Sequence, residues 1–237
     1  MSENPSANDS AEARLRELQA VLFDLDGTLI DTVELILVSM RHATREVLGT
    51  APADSVLMAG VGIPLIKQFR EYAPEHADEL LRVYREFNHI HHDAIAKAYP
   101  GTLDVLVELR SRGIPMGIVT SKGQVAAAMG IDLFGLREFA EVIVTADDVE
   151  IHKPDPYPLA YAAAHLGVDL RYCVYVGDSP HDMLAAISGG AISVAALWGA
   201  FPPDEVLAPG PDFALSDIRE LPALLAGGTG RFEIRRS

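Results

Sequence analysis

The sequence predicts an α/β fold, a doubly wound, Rossmann-like parallel sheet with an inserted α-helical cap domain. Short apolar runs alternate with helix-length segments along most of the chain, and the runs lie at residues 21–23, 114–120, 141–145, 172–177 and 192–197. This alternation predicts parallel strands joined by right-handed helical crossovers. A long block after the first strand has only helical periodicity, which predicts a separate helical unit.

The chain begins with ten small and polar residues, which predict a disordered tail, followed by a short helical lead-in at 11–19. The first strand, at 21–23, is apolar throughout, as expected of a strand covered on both faces. Asp31 can cap a helix that Gly49 ends. Further helices are predicted at 64–72 and 75–98, with no strand signal before residue 100.

From residue 100 onward, strands and helices alternate. Helices are predicted at 100–112, 121–129, 156–166, 180–188 and 218–226, with a short edge strand at 212–215 in addition to the four apolar runs. The predicted domains are a tail and lead-in at 1–18, an α/β core at 19–31 and 100–226, a helical cap of 68 residues at 32–99, and a flexible basic tail at 227–237.

Composition restricts the class of protein. Of 237 residues, 49% are hydrophobic and 22% charged, and the net charge of −15 disfavours binding to nucleic acid or to anionic membranes. There is neither a run of 18 apolar residues nor a signal peptide. Cys173 is the single cysteine and lies in an apolar run, which predicts a buried core thiol in a reducing, cytoplasmic protein. The oligomeric state stays open between monomer and homodimer.

Two carboxylates follow the first strand. Asp24 and Asp26 are two residues apart and point the same way if the strand continues, and Gly27 can offer its backbone N–H to an anion. Because two such carboxylates repel each other, this pattern favours a bound cation and a catalytic role. A lone Asp-x-Asp is also typical of an ordinary strand end and turn.

Three more polar sets follow at strand ends or helix starts. The second strand ends in Thr120 and Ser121, Lys153 lies in a proline-stiffened loop, and the fourth strand leads to Asp178 and Asp182. The spacing of four places the last two carboxylates on one face of a helix start. Taken singly, each set is typical of a helix cap or a solvated loop.

In this order and context, the four sets resemble the four motifs of the haloacid dehalogenase-like (HAD) superfamily, over residues 21–182. The resemblance implies that Asp24 is a nucleophile that forms an aspartyl-phosphate and that Asp26 is the general acid and base. Lys153 would neutralise the charge of nucleophile and phosphate. Dehalogenases of the superfamily lack an aspartate at the position of Asp26, so phosphate chemistry is favoured.

The resemblance also implies a magnesium site and a phosphate site. Mg²⁺ would be bound by Asp24, by the backbone carbonyl of Asp26 and by Asp178, with Asp182 orienting the metal's waters. The phosphoryl oxygens would be held by Gly27, Thr120, Ser121 and Lys153.

The block at 32–99 is similar to the C1 type of cap, and the loops at 60–65 and 99–101 are similar to those of phosphoglycolate phosphatase- and pyrophosphatase-like members. The predicted function is therefore a Mg²⁺-dependent phosphatase acting on a small phosphorylated metabolite, with 2-phosphoglycolate or pyrophosphate as first candidates. A sugar-phosphate mutase of the β-phosphoglucomutase type is the alternative. A non-enzymatic phospho-receiver domain is a remote one, because receivers lack the insertion and have about half this length.

Several other polar residues have two interpretations. Lys67 and Arg70 are predicted to be solvated helix charges rather than contacts of a substrate anion. The group His89, His91 and His92 has the wrong spacing for a metal site on one helix face and is predicted to lie on the cap surface. His152 and His181 flank the motifs and can tune the local field.

Overall fold

The computed structural model describes residues 7–227. The strands are β1 (Ala20–Phe23), β2 (Ile30–Asp31), β3 (Lys97–Ala98), β4 (Met116–Val119), β5 (Val142–Val144), β6 (Cys173–Gly177), β7 (Ile192–Ala196) and β8 (Phe213–Leu215). The helices are α1 (Ala7–Leu15), α2 (Val33–Leu48), α3 (Asp54–Met58), α4 (Leu65–Tyr72), α5 (Ala77–Ile95), α6 (Thr102–Ser111), α7 (Gln124–Leu133), α8 (Tyr157–Leu166), α9 (Pro180–Gly189), α10 (Pro203–Leu207) and α11 (Leu221–Leu225). No helix in this part of the chain has the length and apolar character needed to cross a membrane.

Six strands form one parallel sheet in the order β5-β4-β1-β6-β7-β8. The chain builds outward from β1 through β4 to β5, then returns to the other side of β1 with β6. Strand β1 is therefore flanked by β4 and β6, at the point where the winding reverses. Ligands of such sheets bind beyond the carboxyl ends of the strands at this point. The predicted doubly wound fold is confirmed.

Alternate residues of β1 belong to two hydrophobic cores, one on each face of the sheet. Val21 and Phe23 pack into the larger cluster, and Ala20 and Leu22 into the other, which also contains the buried Cys173. This two-sided burial explains the apolar run of the first strand. It also confirms that Cys173 is a core thiol.

The helices between β2 and β3 have a hydrophobic cluster of their own, formed by residues of α2 to α5 such as Met40, Phe69, Leu80 and Tyr84. The chain leaves the sheet through β2 and returns through β3, and these two strands pair antiparallel.

Several predicted boundaries were wrong. Helix α1 begins at Ala7, inside the stretch expected to be a disordered tail, and its Ala11 and Leu15 belong to the core. Residues 1–6 and 228–237, which include most of both predicted tails, lie outside the described residues. Asp31 belongs to β2, and Thr32 occupies the N-cap of α2, although Asp31 Oδ1 accepts a hydrogen bond from the N–H of Val33 at 3.3 Å.

The prediction of an uninterrupted helix at 75–98 was also wrong, because α5 ends at Ile95 and β3 follows. A two-residue strand is too short to produce a periodic signal. The helix predicted at 121–129 begins three residues later, at Gln124, and the last predicted helix is divided into a 3₁₀ turn (Ile218–Glu220) and α11.

Candidate active site

The polar residues that follow β1, β4 and β6 meet at the carboxyl edge of the sheet. Asp24, Thr120 and Asp178 are each the first residue after one of these neighbouring strands, and all three are buried. Their convergence follows from the strand order, since parallel strands that lie side by side end at the same edge.

Lys153 connects the acidic groups. Its buried Nζ lies 3.0 Å from Asp24 Oδ1, as an ion pair without good hydrogen-bond angles, and donates to Asp182 Oδ1 at 2.6 Å. It also donates to the hydroxyl of Tyr175 at 2.9 Å and to the carbonyl of Val119 at 3.3 Å. Burial alone would lower the pKa of Lys153, but Asp182 and Asp24 raise it above its ordinary value. The lysine therefore stays charged.

Asp182 is fixed by the start of α9. Ser179 is the N-cap, and its side chain accepts from the N–H of Asp182 at 3.2 Å. Asp182 Oδ2 in turn accepts from the N–H and the hydroxyl of Ser179, at 3.0 and 2.6 Å. This is a capping box with aspartate in the third helical position. Burial raises the pKa of Asp182, but Lys153 and the hydrogen bonds outweigh it, so the net pKa is lowered.

Asp178 lies in a space that glycines leave open. A Cβ atom on Gly27, whose φ is +80°, would lie 2.1 Å from Asp178 Oδ2, and one on Gly199 would lie 2.2 Å from Asp178 Cβ. The carboxylate accepts from Thr28 Oγ1 at 3.2 Å and from the N–H of Ala200 at 2.7 Å. Gly27 is therefore needed here for its conformation and for the room that it leaves.

The carboxylates together fit a divalent cation. Among the described residues, oxygens of Asp24, Asp178 and Asp182 lie within 4.8 Å of one another. Burial, with a further contribution from Asp182, raises the pKa of Asp24 to about 7 despite Lys153, and burial and the neighbouring carboxylates raise that of Asp178 well above its ordinary value. One lysine is thus too little positive charge for the cluster. An all-oxygen donor set suits Mg²⁺.

The carboxylate of Asp26 has different partners. Its Oδ1 accepts from Thr32 Oγ1 at 2.5 Å and from Lys122 Nζ at 2.7 Å. Asp26 and Asp24 therefore have different partners: Asp24 lies in the acidic group and is paired with Lys153, whereas Asp26 is paired with Lys122.

The two predicted hydroxyls after β4 lie at the site. Thr120 Oγ1 accepts from the N–H of Lys122 at 3.2 Å, and Ser121 Oγ donates to the carbonyl of Gly62 at 2.6 Å. The second bond joins the α/β core to the loop before α4. Both hydroxyls line a cavity above the acidic group.

A cavity of about 510 Å³ opens above the acidic group, between the sheet edge and helices α2, α4 and α5. Asp24, Asp26 and Asp178 lie on its floor. The helical side contributes apolar residues and the basic residues Lys67, Arg70, Arg85 and His89. Its size is in the range of small-molecule sites.

Some expectations for basic residues were wrong. Lys67 and Arg70 are exposed, as predicted for helix charges, but both border the cavity. His92 does not lie on the cap surface: it is fully buried, on the same face of α5 as Tyr84 and Asn88, because those positions recur every four residues. His152 lines the cavity, and burial followed by Lys67 lowers its pKa.

The sequence interpretation did not identify Lys122, Tyr175 or Arg85. Lys122 directly follows the predicted hydroxyls, and its position could have indicated it. Tyr175 lies within an apolar strand and Arg85 within an amphipathic helix, where nothing local marks them.

Comparison with known proteins agrees with this geometry. The model of the family "Haloacid dehalogenase-like hydrolase" matches residues 21–196. The chain is 37% identical to a pyrophosphatase PpaX of Bacillus pumilus, over 88% of this chain and 96% of that protein. It is 36% identical to a pyrophosphatase PpaX of Anoxybacillus flavithermus, over 90% and 99% of the two chains.

Solved structures resemble the whole fold. A hydrolase from Pseudomonas syringae has 26% identity and a TM-score of 0.79, over 87% of this chain and 97% of that one. A predicted phosphatase from Clostridium acetobutylicum has 25% identity and a TM-score of 0.79, over 88% and 98%. With its motifs gathered at one sheet edge, the chain belongs to the haloacid dehalogenase-like hydrolase family and is a phosphatase of that family.

Proposed function

We propose that this phosphatase is Mg²⁺-dependent, acts through an aspartyl-phosphate on Asp24, and hydrolyses a small phosphorylated metabolite such as pyrophosphate or a 2-phosphoglycolate-like monoester. The observation that carries the proposal is the group of three buried carboxylates with one lysine at adjoining strand ends. The relatives named pyrophosphatase support pyrophosphate as a candidate.

In the proposed reaction, a carboxylate oxygen of Asp24 forms a bond to phosphorus while the bond to the leaving oxygen breaks, and Asp26 gives that oxygen a proton. Asp26 then takes a proton from a water molecule whose oxygen attacks the phosphorus, and Asp24 is released. The hydroxyls of Thr120 and Ser121, together with Lys153, hold the phosphoryl oxygens. The N–H of Gly27, which the sequence also suggested for this role, donates instead to the carbonyl of Ile30 at 2.8 Å in this structure.

The metal site completes the charge balance. Asp24, Asp178 and the backbone carbonyl of Asp26 would hold Mg²⁺, and Asp182 would orient its waters. When bound, Mg²⁺ supplies positive charge that neutralises phosphoryl oxygens next to carboxylates. Lys153, whose Nζ lies 3.0 Å from Asp24 and 2.6 Å from Asp182, supplies the remaining positive charge.

Residues 32–99 are proposed to be a cap domain that covers the cavity and excludes water, on the core formed by 19–31 and 100–226. Their separate hydrophobic cluster and the paired strands β2 and β3 support this division. A reducing, cytoplasmic location is proposed from the single buried cysteine.

The test is a screen of phosphorylated metabolites with Mg²⁺ in which released phosphate is measured. We expect release from pyrophosphate or from 2-phosphoglycolate, and loss of release with EDTA. Interconversion of hexose phosphates with little phosphate release would instead support the mutase alternative, and activity that is unchanged by EDTA would contradict the metal site.

A further inference from the structure

We propose that the α5 wall of the cavity carries a second anion-binding subsite, built on Arg85 and His89, that selects substrates whose leaving group is itself negatively charged. This inference rests on the proposed function and specifies its substrate class. Pyrophosphate, with a phosphate leaving group, and a phosphorylated hydroxy acid, with a carboxylate, share this chemistry.

The cavity is less negative in its balance of charge than the whole protein, because its lining contains four Asp and four Lys or Arg residues. The chain has a net charge of −15, yet the cavity is bordered by four Lys or Arg side chains, at Lys67, Arg70, Arg85 and Lys122. Lys122 is paired with Asp26. Across residues 7–227, the ion pairs within 4.0 Å do not include the other three. Their positive charge is therefore available to a ligand.

Helix α5 carries a second arginine, Arg82, with which Arg85 can be compared. Arg82, three residues before Arg85, lies 3.9 Å from Glu79 and 2.8 Å from Glu86 on the outer surface of the helix. Among the residues that the structure describes, Arg85 has no such partner. Its side chain is also exposed, but its guanidinium borders the cavity, where a Cβ on Gly123 would lie 3.8 Å from its Nη2. The same glycine faces the carboxylate of Asp147, which also borders the cavity.

His89 lies one turn after Arg85 and also lines the cavity. Burial first, and then Arg85, followed by His92 and Lys122, lower its pKa. The imidazole is thus neutral and can donate one hydrogen bond to an anion. The arrangement of a guanidinium and an N–H donor on one wall, with the proposed nucleophile on the floor, suits a substrate with two anionic ends.

The test compares Arg85→Gln with Arg82→Gln, a control on the outer surface of the same helix. Each variant and the wild type is assayed with 2-phosphoglycolate and with 2-hydroxyethyl phosphate, which lacks the carboxylate, and with pyrophosphate and methyl phosphate. The ratio of kcat/KM within each pair measures the preference for an anionic leaving group. The pair whose ratio falls most in Arg85→Gln identifies which anion the subsite takes, because the intrinsic reactivity of each substrate is the same for both proteins.

We expect the wild type to prefer the anionic member of a pair and Arg85→Gln to lose about 10- to 100-fold of that preference, since hydrogen bonds to charged groups have this effect. Arg82→Gln should keep it within about twofold. No wild-type preference, or an equal preference in Arg85→Gln, would overturn the subsite.

Calorimetric binding of methylenediphosphonate with Mg²⁺ separates the two proposals. Binding that Arg85→Gln weakens, without turnover of any substrate, would support the subsite and contradict the phosphatase proposal. Turnover with the same methylenediphosphonate affinity in both proteins would contradict the subsite alone.

Discussion

Gly27 shows how closely individual residues constrain the site. It has a left-handed backbone conformation, and it is one of two glycines that leave room for the carboxylate of Asp178. Any side chain at this position would strain the backbone and would also overlap with the carboxylate of Asp178.

We expect Gly27→Ala to lower the Mg²⁺ affinity and kcat by at least about tenfold, because the new Cβ displaces Asp178. Gly49→Ala is the matched control, since Gly49 has φ +72° and nothing within 4 Å of an added Cβ. Both changes should lower the free energy of unfolding by about 1–2 kcal/mol through strain. The measurements are urea unfolding and activity against Mg²⁺ concentration, and an unchanged Mg²⁺ dependence in Gly27→Ala would contradict this interpretation of the site.

Among individual residues, the sequence predicted those whose place in a motif also fixes their place at the end of a strand. Asp24, Thr120 and Asp178 were predicted and do meet at one sheet edge, because each directly follows a strand; Lys153 reaches Asp24 from the loop before α8. Tyr175 could not be found in this way. Its hydroxyl lies 2.9 Å from Lys153 Nζ, a contact between residues 22 positions apart that no local sequence pattern marks.

At the scale of elements, the start of α9 connects local structure to the acidic group. The capping box between Ser179 and Asp182 supplies side-chain hydrogen-bond acceptors to the N–H groups of these two residues at the start of the helix. It also holds the carboxylate of Asp182 next to Lys153. Helix formation and charge placement thus depend on the same side chains.

Ser179→Ala is expected to lower the free energy of unfolding by about 1–2 kcal/mol, because it removes the cap and one donor to Asp182. Ser188→Ala, at the other end of the same helix, removes one exposed bond to Leu184 and one long, partly buried bond to Ala185, and should cost less than about 0.5 kcal/mol. Chemical denaturation of both variants measures the difference, and equal values would contradict a special role for the cap.

Long elements were easier to predict than short ones. The strands of the sheet and the long helices of the block between β2 and β3 have clear apolar patterns. Helices α3 and α10 have five residues each, and β2 and β3 have two. These segments are too short for their hydrophobic residues to repeat often enough to form a recognisable pattern. Their conformation depends on packing and pairing with distant segments.

At the scale of the whole molecule, three buried carboxylates sit close together in a protein that is already strongly acidic. Their mutual repulsion works against the folded state, and a cation bound only by the folded state would relieve it. The stability of the whole chain should therefore depend on the metal.

We expect Mg²⁺ to raise the free energy of unfolding by about 2.7 kcal/mol at a hundred times its dissociation constant. Asp178→Asn should lose most of this gain, whereas Asp204→Asn, an exposed residue in the first turn of α10, should keep it. Thermal unfolding in Mg²⁺ and in EDTA measures the effect. A gain of the same size in Asp178→Asn would contradict metal binding at this position.

The most direct measurement locates the phosphoryl group during turnover. Enzyme and substrate are mixed with Mg²⁺, quenched in acid and digested, and the peptides are analysed by mass spectrometry, with Asp24→Asn as the parallel sample. We expect the wild type to carry one phosphoryl group on Asp24, and the variant to be folded, unlabelled and inactive. A phosphoryl group on another residue, or full activity of Asp24→Asn, would contradict it.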